Sequence, residues 1–386
     1  MYSGNYFSLY SLILYIGVGL YCSYWLHLTY DTGLYIDNRR VKKTSMLFIL
    51  WLSIALFSSL RFVGPYGIGG MDARGYEMFF IDSSNNERLK ETDLFFYYFT
   101  IGIRQFTASP VIYRLTCYSL ICLGYIIVIK RFYNKNVSSI PFVMIVYPLL
   151  KSFNTMRNSI AIVFFLIGII YLADKKNINA IIFFIISCFF HRMSVLYLML
   201  LPFYYLFKNI DFEGNNKKVF IFLLFYIVLG YILSKAVQSY VLAAQLITSN
   251  EGGDVYYLTQ SLEQNIFQRI PIMFQHVALL VMLIIYNNKL PDTPDVRFLR
   301  LIILFDIIIQ PVSVVFGMWR ALEYLYIPRL IFWGYLINIA ASCYELKSRK
   351  IFKFSCMCIF ISWLVFRICN EWEPAGLMPY KLIFLS

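Results

Sequence analysis

The stretch Met156–Pro202 reads MRNSIAIVFFLIGIIYLADKKNINAIIFFIISCFFHRMSVLYLMLLP. It holds an apolar run that starts beside Arg157, a basic turn at Lys175–Lys176, and a second apolar run that ends at His191–Arg192. A third apolar run follows directly. Long apolar runs separated by short charged turns predict helices that cross a membrane and reverse at its two faces.

The composition of the whole chain agrees with this stretch. Of 386 residues, 60% are hydrophobic and only 14% are charged. A soluble protein of this length could not bury so much apolar surface, so we predict an all-α, polytopic integral membrane protein. The first apolar run lacks a basic region before it and a small-residue cleavage site after it, which favours a retained span over a signal peptide.

We predict one transmembrane domain over residues 1–386, built from twelve spans. The predicted spans are 7–29, 44–60, 109–129, 137–151, 157–173, 178–190, 193–207, 218–234, 270–287, 297–317, 323–342 and 351–368.

The basic turns set the predicted orientation. Arg39, Arg40, Lys42 and Lys43 follow the first span and indicate a cytoplasmic turn. Alternation then places every other basic turn inside and both termini outside, which in a bacterium is the periplasmic side. Two long segments, 61–108 and 235–269, become outer loops with interfacial helices, and the partly apolar C-terminal tail is expected to pack back on the bundle.

Lysine and arginine are distributed differently in this topology. The cytoplasmic side carries 13 lysines and 6 arginines, whereas the outer side carries 4 lysines and 11 arginines. An arginine can simply anchor a helix end to lipid headgroups. Arginine also presents a planar fork of donors that matches phosphate oxygens, so its outer bias favours a large anionic ligand such as a lipid-linked diphosphate. The outer arginines include Arg61, Arg74, Arg104, Arg157, Arg192, Arg269, Arg320 and Arg329.

Two predicted spans, 137–151 and 178–190, are short for a bilayer core of about 30 Å. Both end on the outer side, one just before Arg157 and the other at His191. The short helices predict a cavity sunk into the outer leaflet, with Arg157 and His191 in its wall.

His191 is one of three histidines, and beside Arg192 it is a candidate base that takes a proton from a sugar hydroxyl. A helix-end histidine satisfied by backbone is an equally weighted alternative. The acidic candidates are Asp72, Glu77 and Glu323, and Glu323 could pair with an arginine three residues earlier.

A few polar residues lie within the apolar runs. Asp306 lies in the middle of a span and must face the protein interior, and Gln275–His276 form a second intramembrane polar site. These residues suit either interhelical hydrogen bonding or the proton relay of a transporter. The eight cysteines lie mostly in apolar runs without metal-ligand spacing, so we predict no metal site and no cofactor. The net charge of +13 lies in turns between spans, which indicates topology and anionic lipid and argues against a nucleic-acid partner.

Several segments resemble the EpsG-type Wzy family of polysaccharide polymerases. They are LRFVGPYGIGGMDARGY (60–76), FNTMRNSIAIVFFLIGIIYLADKK (153–176), CFFHRMSVLYLMLLP (188–202) and PYKLIF (379–384). The resemblance implies a fold like that of GT-C membrane glycosyltransferases. It implies polymerisation of O-antigen, capsule or exopolysaccharide repeat units, carried on undecaprenyl diphosphate, at the outer face of the bacterial inner membrane. A chain-length regulator and a flippase are the protein partners it implies.

The resemblance also implies site roles. Arg157, Arg192, Arg269, Arg320 and Arg329 would bind the diphosphates of donor and acceptor in place of a metal. His191 would act as the base or orient the acceptor.

Arg61 and Asp72 are further candidates from the loop that resembles the family. That loop usually runs Arg-x-x-Gly-x-Asp, whereas here a longer glycine-rich insert precedes Asp72. Two other classes stay open at this point, a flippase or other transporter and a membrane O-acyltransferase.

Overall fold

The computed structural model describes residues 7–33, 35–36, 39–64, 68–70, 72–82, 90–91, 93–209, 266–315 and 323–383, with six more between 221 and 235. Helices dominate this part of the chain, as predicted. The strands within it are two residues long, β1 (Tyr35–Ile36) and β2 (Arg39–Arg40), and they pair antiparallel in one hairpin.

The helices follow the apolar runs of the sequence. In chain order they are α1 (Leu9–His27), α2 (Lys43–Ser59), α3 (Ala73–Ile81), α4 (Leu94–Phe106), α5 (Pro110–Phe132), α6 (Val146–Lys151), α7 (Met156–Ala173), α8 (Asn177–Phe190), α9 (Leu200–Phe207), α10 (Ile266–Tyr286), α11 (Pro294–Val315), α12 (Tyr326–Ser342) and α13 (Leu346–Ala375). The chain forms two compact units, the first comprising Met1–Val195 with Trp333–Ser386 and the second comprising Leu196–Phe332.

Two predicted helices are not α-helical over their full length. The predicted spans 137–151 and 193–207 begin as 3₁₀ helices, at Ile140–Ile145 and Arg192–Met199, before they become α-helical. Most of the predicted span 218–234 and most of the loop 235–269 lie outside the described residues.

Within the described residues, four helices are long and apolar enough to cross a membrane. They are Leu9–Thr32, Pro110–Phe132, Met156–Ala173 and Leu346–Asn370. Shorter apolar helices cover Lys43–Ser59, Ile140–Lys151, Asn177–Phe190 and Arg192–Phe207. Twelve membrane crossings and a GT-C-like arrangement therefore stay predictions.

The first unit is organised around α7, which packs against α5 and α8. Gly168 of α7 lies where a Cβ atom would be 2.5 Å from the Phe184 ring of α8, so glycine permits the close approach of the two helices. Ser187 Oγ of α8 donates to the Ala161 carbonyl of α7 at 2.8 Å. Small residues and one interhelical hydrogen bond thus fix the pair that carries Arg157 and His191.

The C-terminal tail packs back on this unit, as predicted. Leu377 and Met378 are buried, and the Lys381 carbonyl accepts from the Phe62 N–H at 2.7 Å. Burial raises the pKa of Tyr380 to about 12, so its hydroxyl stays protonated and donates to the Phe57 carbonyl at 2.6 Å. The tail therefore packs against the C-terminal end of α2 and against Phe62, which follows that helix.

The second unit contains a buried ionic cluster. Asp306 of α11 accepts two hydrogen bonds from Arg329 of α12, at 2.7 and 2.9 Å, and its carboxylate lies 3.3 Å from His276 Nε2 of α10. The side chains of all three are at most 2% exposed. Asp306 faces the interior as predicted, and the cluster ties together three helices through one carboxylate.

The close approach of α1 to the 3₁₀ helix gives a prediction. A Cβ atom on Gly19 would lie 2.4 Å from the Val143 carbonyl oxygen, whereas one on Gly17 would meet nothing within 4 Å. Gly19→Ala is expected to destabilise the protein by about 1–3 kcal/mol, because backbone cannot move aside cheaply. Gly17→Ala is the matched control and should leave the unfolding temperature in detergent unchanged. Equal unfolding temperatures for the two variants would contradict the packing described for α1.

The buried ionic cluster gives a second prediction. Asp306→Ala leaves the Arg329 guanidinium buried without its counter-charge and should cost about 3–5 kcal/mol. Asp306→Leu combined with Arg329→Met removes both charges and should recover most of that loss. The control is Arg297→Gln, which breaks an exposed ion pair with Asp292 and should cost no more than about 1 kcal/mol. Thermal unfolding in detergent is the measurement, and a double variant as unstable as Asp306→Ala would contradict this account.

Candidate functional site

Arg157 and His191, which the sequence paired as site residues, meet at a third residue, Asp93. Nη1 of Arg157 donates to Asp93 Oδ2, and Nδ1 of His191 lies 3.0 Å from Asp93 Oδ1. The side chain of Asp93 is 3% exposed and that of His191 is 7% exposed, whereas that of Arg157 is 24% exposed. The arrangement is a buried carboxylate between a buried imidazole and a guanidinium that reaches the surface.

The turn before α7 positions Arg157. Thr155 Oγ1 donates to the Lys151 carbonyl at 3.0 Å, and the Asn154 side chain accepts from the Asp72 N–H at 3.1 Å. The Asn154 carbonyl accepts from the Tyr76 hydroxyl at 3.2 Å. The Arg157 guanidinium then lies 6.0 Å from the centre of the Tyr76 ring, within cation–π range. Asp72 is exposed and contributes a negative charge near Arg157.

The end of α8 positions His191. Its backbone is extended (φ −160°, ψ 123°), so the helix stops there, and its N–H still donates to the Ser187 carbonyl at 3.0 Å. Ser194 Oγ bonds to the same carbonyl at 3.1 Å and holds the following turn. Because a carboxylate oxygen only accepts, the contact with Asp93 places the ring proton on Nδ1 and the basic lone pair of the neutral ring on Nε2.

Arg61 is buried, and its guanidinium is occupied by the protein. It donates to the Gly69 carbonyl at 2.7 Å, to the Tyr118 hydroxyl at 2.7 Å and to the Ser58 carbonyl. Its guanidinium carbon also lies 3.7 Å from the centre of the Phe153 ring. Gly69 has a positive φ (80°), a conformation that side chains disfavour, so glycine suits the position whose carbonyl accepts from Arg61.

Two further arginines bind α3. Arg114 of α5 forms an ion pair with Glu77 of α3 and donates to the Ser59 carbonyl at 3.1 Å. Arg104 of α4 donates to the Phe80 carbonyl at 2.6 Å. Glu77, an acidic candidate from the sequence, is thus the partner of a structural arginine.

The other predicted site residues are placed separately. Arg192 follows His191 and is exposed. Arg329 belongs to the second unit, where it is buried and bound to Asp306. Arg269 lies on the backbone of α10, but its side chain is outside the described residues, as is the whole of Arg320.

Sequence analysis missed Asp93. The signal was present, because Asp93 ends a polar patch and directly precedes the apolar run LFFYYF of α4. A carboxylate at the start of an apolar helix is drawn into the interior with that helix. Its partners lie 64 and 98 residues further along the chain, a separation that a single sequence does not relate.

A groove of about 440 Å³ lies elsewhere in the first unit, between α1 and α2. Its lining is apolar and includes Gly17, Val18 and Phe57. None of the predicted site residues lines this groove. We therefore take the cluster around Asp93, which joins two of them, as the candidate site.

Comparison with known proteins supports the assignment of the chain to a family. No curated protein and no solved structure gives a significant match. A sequence model of the EpsG family matches residues 44–382, which is most of the chain and includes Asp93, Arg157 and His191. Together with its apolar helices, this match shows that the chain belongs to the EpsG family, membrane proteins with a role in polysaccharide polymerisation.

Proposed function

We propose that the chain is a glycosyltransferase that polymerises oligosaccharide repeat units carried on undecaprenyl diphosphate. The units would be those of an O-antigen, a capsule or an exopolysaccharide, joined at the outer face of the bacterial inner membrane. The proposal combines family membership with the arginine bias of the outer side. The sugars, the predicted sidedness of the termini, and the chain-length regulator and flippase belong to the proposal as predictions.

The observation that carries the proposal is the cluster of Arg157, Asp93 and His191. A partly exposed guanidinium and an imidazole there contact the two oxygens of one buried carboxylate, and we propose them as the cation and the base of the reaction. Glycosyl transfer from a lipid diphosphate requires these two functions close together, one at the leaving group and one at the attacking hydroxyl.

The proposed reaction uses the two residues as follows. A sugar hydroxyl of the new repeat unit attacks the anomeric carbon of the nascent chain. A new C–O bond forms as the bond from that carbon to the diphosphate breaks, and the diphosphate oxygen takes the electron pair. Nε2 of His191 accepts the hydroxyl proton, and Arg157 stabilises the departing diphosphate through its guanidinium.

The arginines divide into two groups in this proposal. Arg157 and the exposed Arg192 are the diphosphate ligands that the first unit offers. Arg269 and Arg320 remain predicted ligands, and Asp72 a predicted site residue near Arg157. We assign Arg61 and Arg329 structural roles, in place of the diphosphate contacts predicted from the sequence, because their guanidinium groups are buried and bound to protein acceptors.

Arginine binding of the diphosphate makes the proposed transfer metal-independent. A guanidinium supplies fixed positive charge where negative charge develops, which is the part that a divalent cation plays in other transferases. Family membership favours polymerisation over transport and O-acylation, and the following experiment separates the three.

Deletion of the gene is expected to leave single repeat units at the cell surface and no long chains. Loss of a flippase would remove the surface glycan entirely, and loss of an O-acyltransferase would keep chain length and remove acyl groups. Gel analysis of the surface glycan, with mass spectrometry of its repeat unit, is the measurement. Either of these other two results would overturn the proposal.

Site variants test the assignment within the same strain. Arg157→Ala and His191→Ala should each lower polymer formation by about 10²–10³-fold, as expected for loss of an electrostatic stabiliser or a base. The matched control is Arg131→Ala, which removes another partly exposed arginine, paired with Asp174, and should give wild-type chain lengths. Wild-type chains from both site variants, at equal membrane levels, would show that the site lies elsewhere.

A further inference from the structure

We infer that Asp93 is a positioning residue that orients His191 as the base. It also forms an ion pair with Arg157 that a diphosphate must displace in order to bind. This inference rests on the proposed function and deepens it by assigning a role to a residue that sequence analysis did not single out. It makes one buried carboxylate responsible for both the rate of transfer and the strength of diphosphate binding.

The backbone of Asp93 is fixed at the start of α4. Its carbonyl accepts the Tyr97 N–H at 3.1 Å, the first hydrogen bond of that helix. An aspartate at this position ordinarily caps the helix, its side chain accepting from a backbone N–H of the first turn. Asp93 makes no such bond and turns its carboxylate toward Arg157 and His191 instead. The chain forgoes a stabilising cap at the position where the carboxylate contacts both site residues.

The contact with His191 determines how the ring can act. A carboxylate 3.0 Å from Nδ1 holds one tautomer and one ring orientation, and it stabilises the imidazolium that forms when Nε2 takes a proton. Both side chains are buried, so water does not compete for the contact. Asp93 therefore acts on the acceptor hydroxyl through His191, without touching the substrate.

The contact with Arg157 has an opposing effect, because it weakens the binding of the diphosphate. Asp93 neutralises the guanidinium that would bind a diphosphate, and its own negative charge repels that ligand. A diphosphate must compete with Asp93 for Arg157. The carboxylate thus weakens the binding of substrate and released lipid diphosphate while it supports the chemical step.

These two effects predict that Asp93→Asn separates binding from turnover. Undecaprenyl diphosphate should bind the purified variant about tenfold more tightly than the wild type, because a repelling charge is gone and Arg157 is released. The kcat for extension of lipid-linked repeat units, extracted from the deletion strain, should fall by about 10²–10⁴-fold, because His191 loses its orienting charge. A purely structural role predicts weaker binding together with slower turnover, and that parallel loss would overturn the inference.

Asp93→Glu keeps the charge and displaces it by one methylene group. Binding of undecaprenyl diphosphate should stay within about twofold of wild type, while kcat falls by about 10–10²-fold from misplacement of the base. If Asp93→Asn does not fold, Asp93→Glu tests the inference in its place. A wild-type kcat in Asp93→Glu would then contradict the role of Asp93 in orienting His191. Asp174→Asn, which removes the exposed carboxylate beside Arg131, is the control and should match wild type in both assays.

The wild-type assay separates this inference from the proposed function. A wild-type protein that does not extend the extracted lipid-linked units would overturn the proposed function itself. An active wild-type protein whose Asp93→Asn variant keeps both its kcat and its diphosphate affinity would overturn only the role of Asp93.

Discussion

The first unit depends on a single constraint, that a charge drawn into an apolar helical interior must find a partner there. Asp93 meets it with two partners, Arg157 and His191, and in doing so ties the start of α4 to the first turn of α7 and to the end of α8. The second unit meets the same constraint at Asp306, which joins three helices through Arg329 and His276. In each unit a buried carboxylate therefore joins three helices, although carboxylates are less numerous than basic residues in this chain.

This constraint changes the meaning of the arginine bias. Outer arginines were expected to share one anionic ligand, but several of them bind the protein itself. Arg61 donates to the Gly69 carbonyl and the Tyr118 hydroxyl, and Arg104 and Arg114 bind α3 through the Phe80 carbonyl and Glu77. Arginine suits this work as well as it suits phosphate, because its fork satisfies several acceptors while staying charged. Arg157 differs from these three in its partners, because it contacts the same carboxylate as His191.

The sequence predicted what depends on local pattern. The apolar runs located α7 and α8 to within one residue, since a run of apolar residues bounded by charges has few alternatives. The apolar tail predicted that the C-terminal segment packs on the bundle. The 3₁₀ helices at Ile140–Ile145 and Arg192–Met199 were not foreseen, because apolar composition does not distinguish one helical hydrogen-bond pattern from another.

Two of the three clustered site residues were predictable for the same reason. Arg157 and His191 sit at the ends of apolar runs, where a charged or polar residue is conspicuous. Asp93 lies at the end of a patch that also contains Asp82, Glu87, Glu91 and other polar residues, and its position before an apolar run does not relate it to Arg157 or His191. Only tertiary packing selects it, by burying its carboxylate against residues 64 and 98 positions away.

The side chain of Asp93 departs from the local preference of an aspartate at the start of a helix. Local rules favour an aspartate that accepts from the first turn of its own helix, and such a cap is worth about 1 kcal/mol. Here the carboxylate satisfies two distant groups and leaves its own helix uncapped. Proteins depart from local preferences most often where a function requires it. The proposed glycosyl transfer supplies such a requirement, because it needs the imidazole and the guanidinium that this carboxylate holds together.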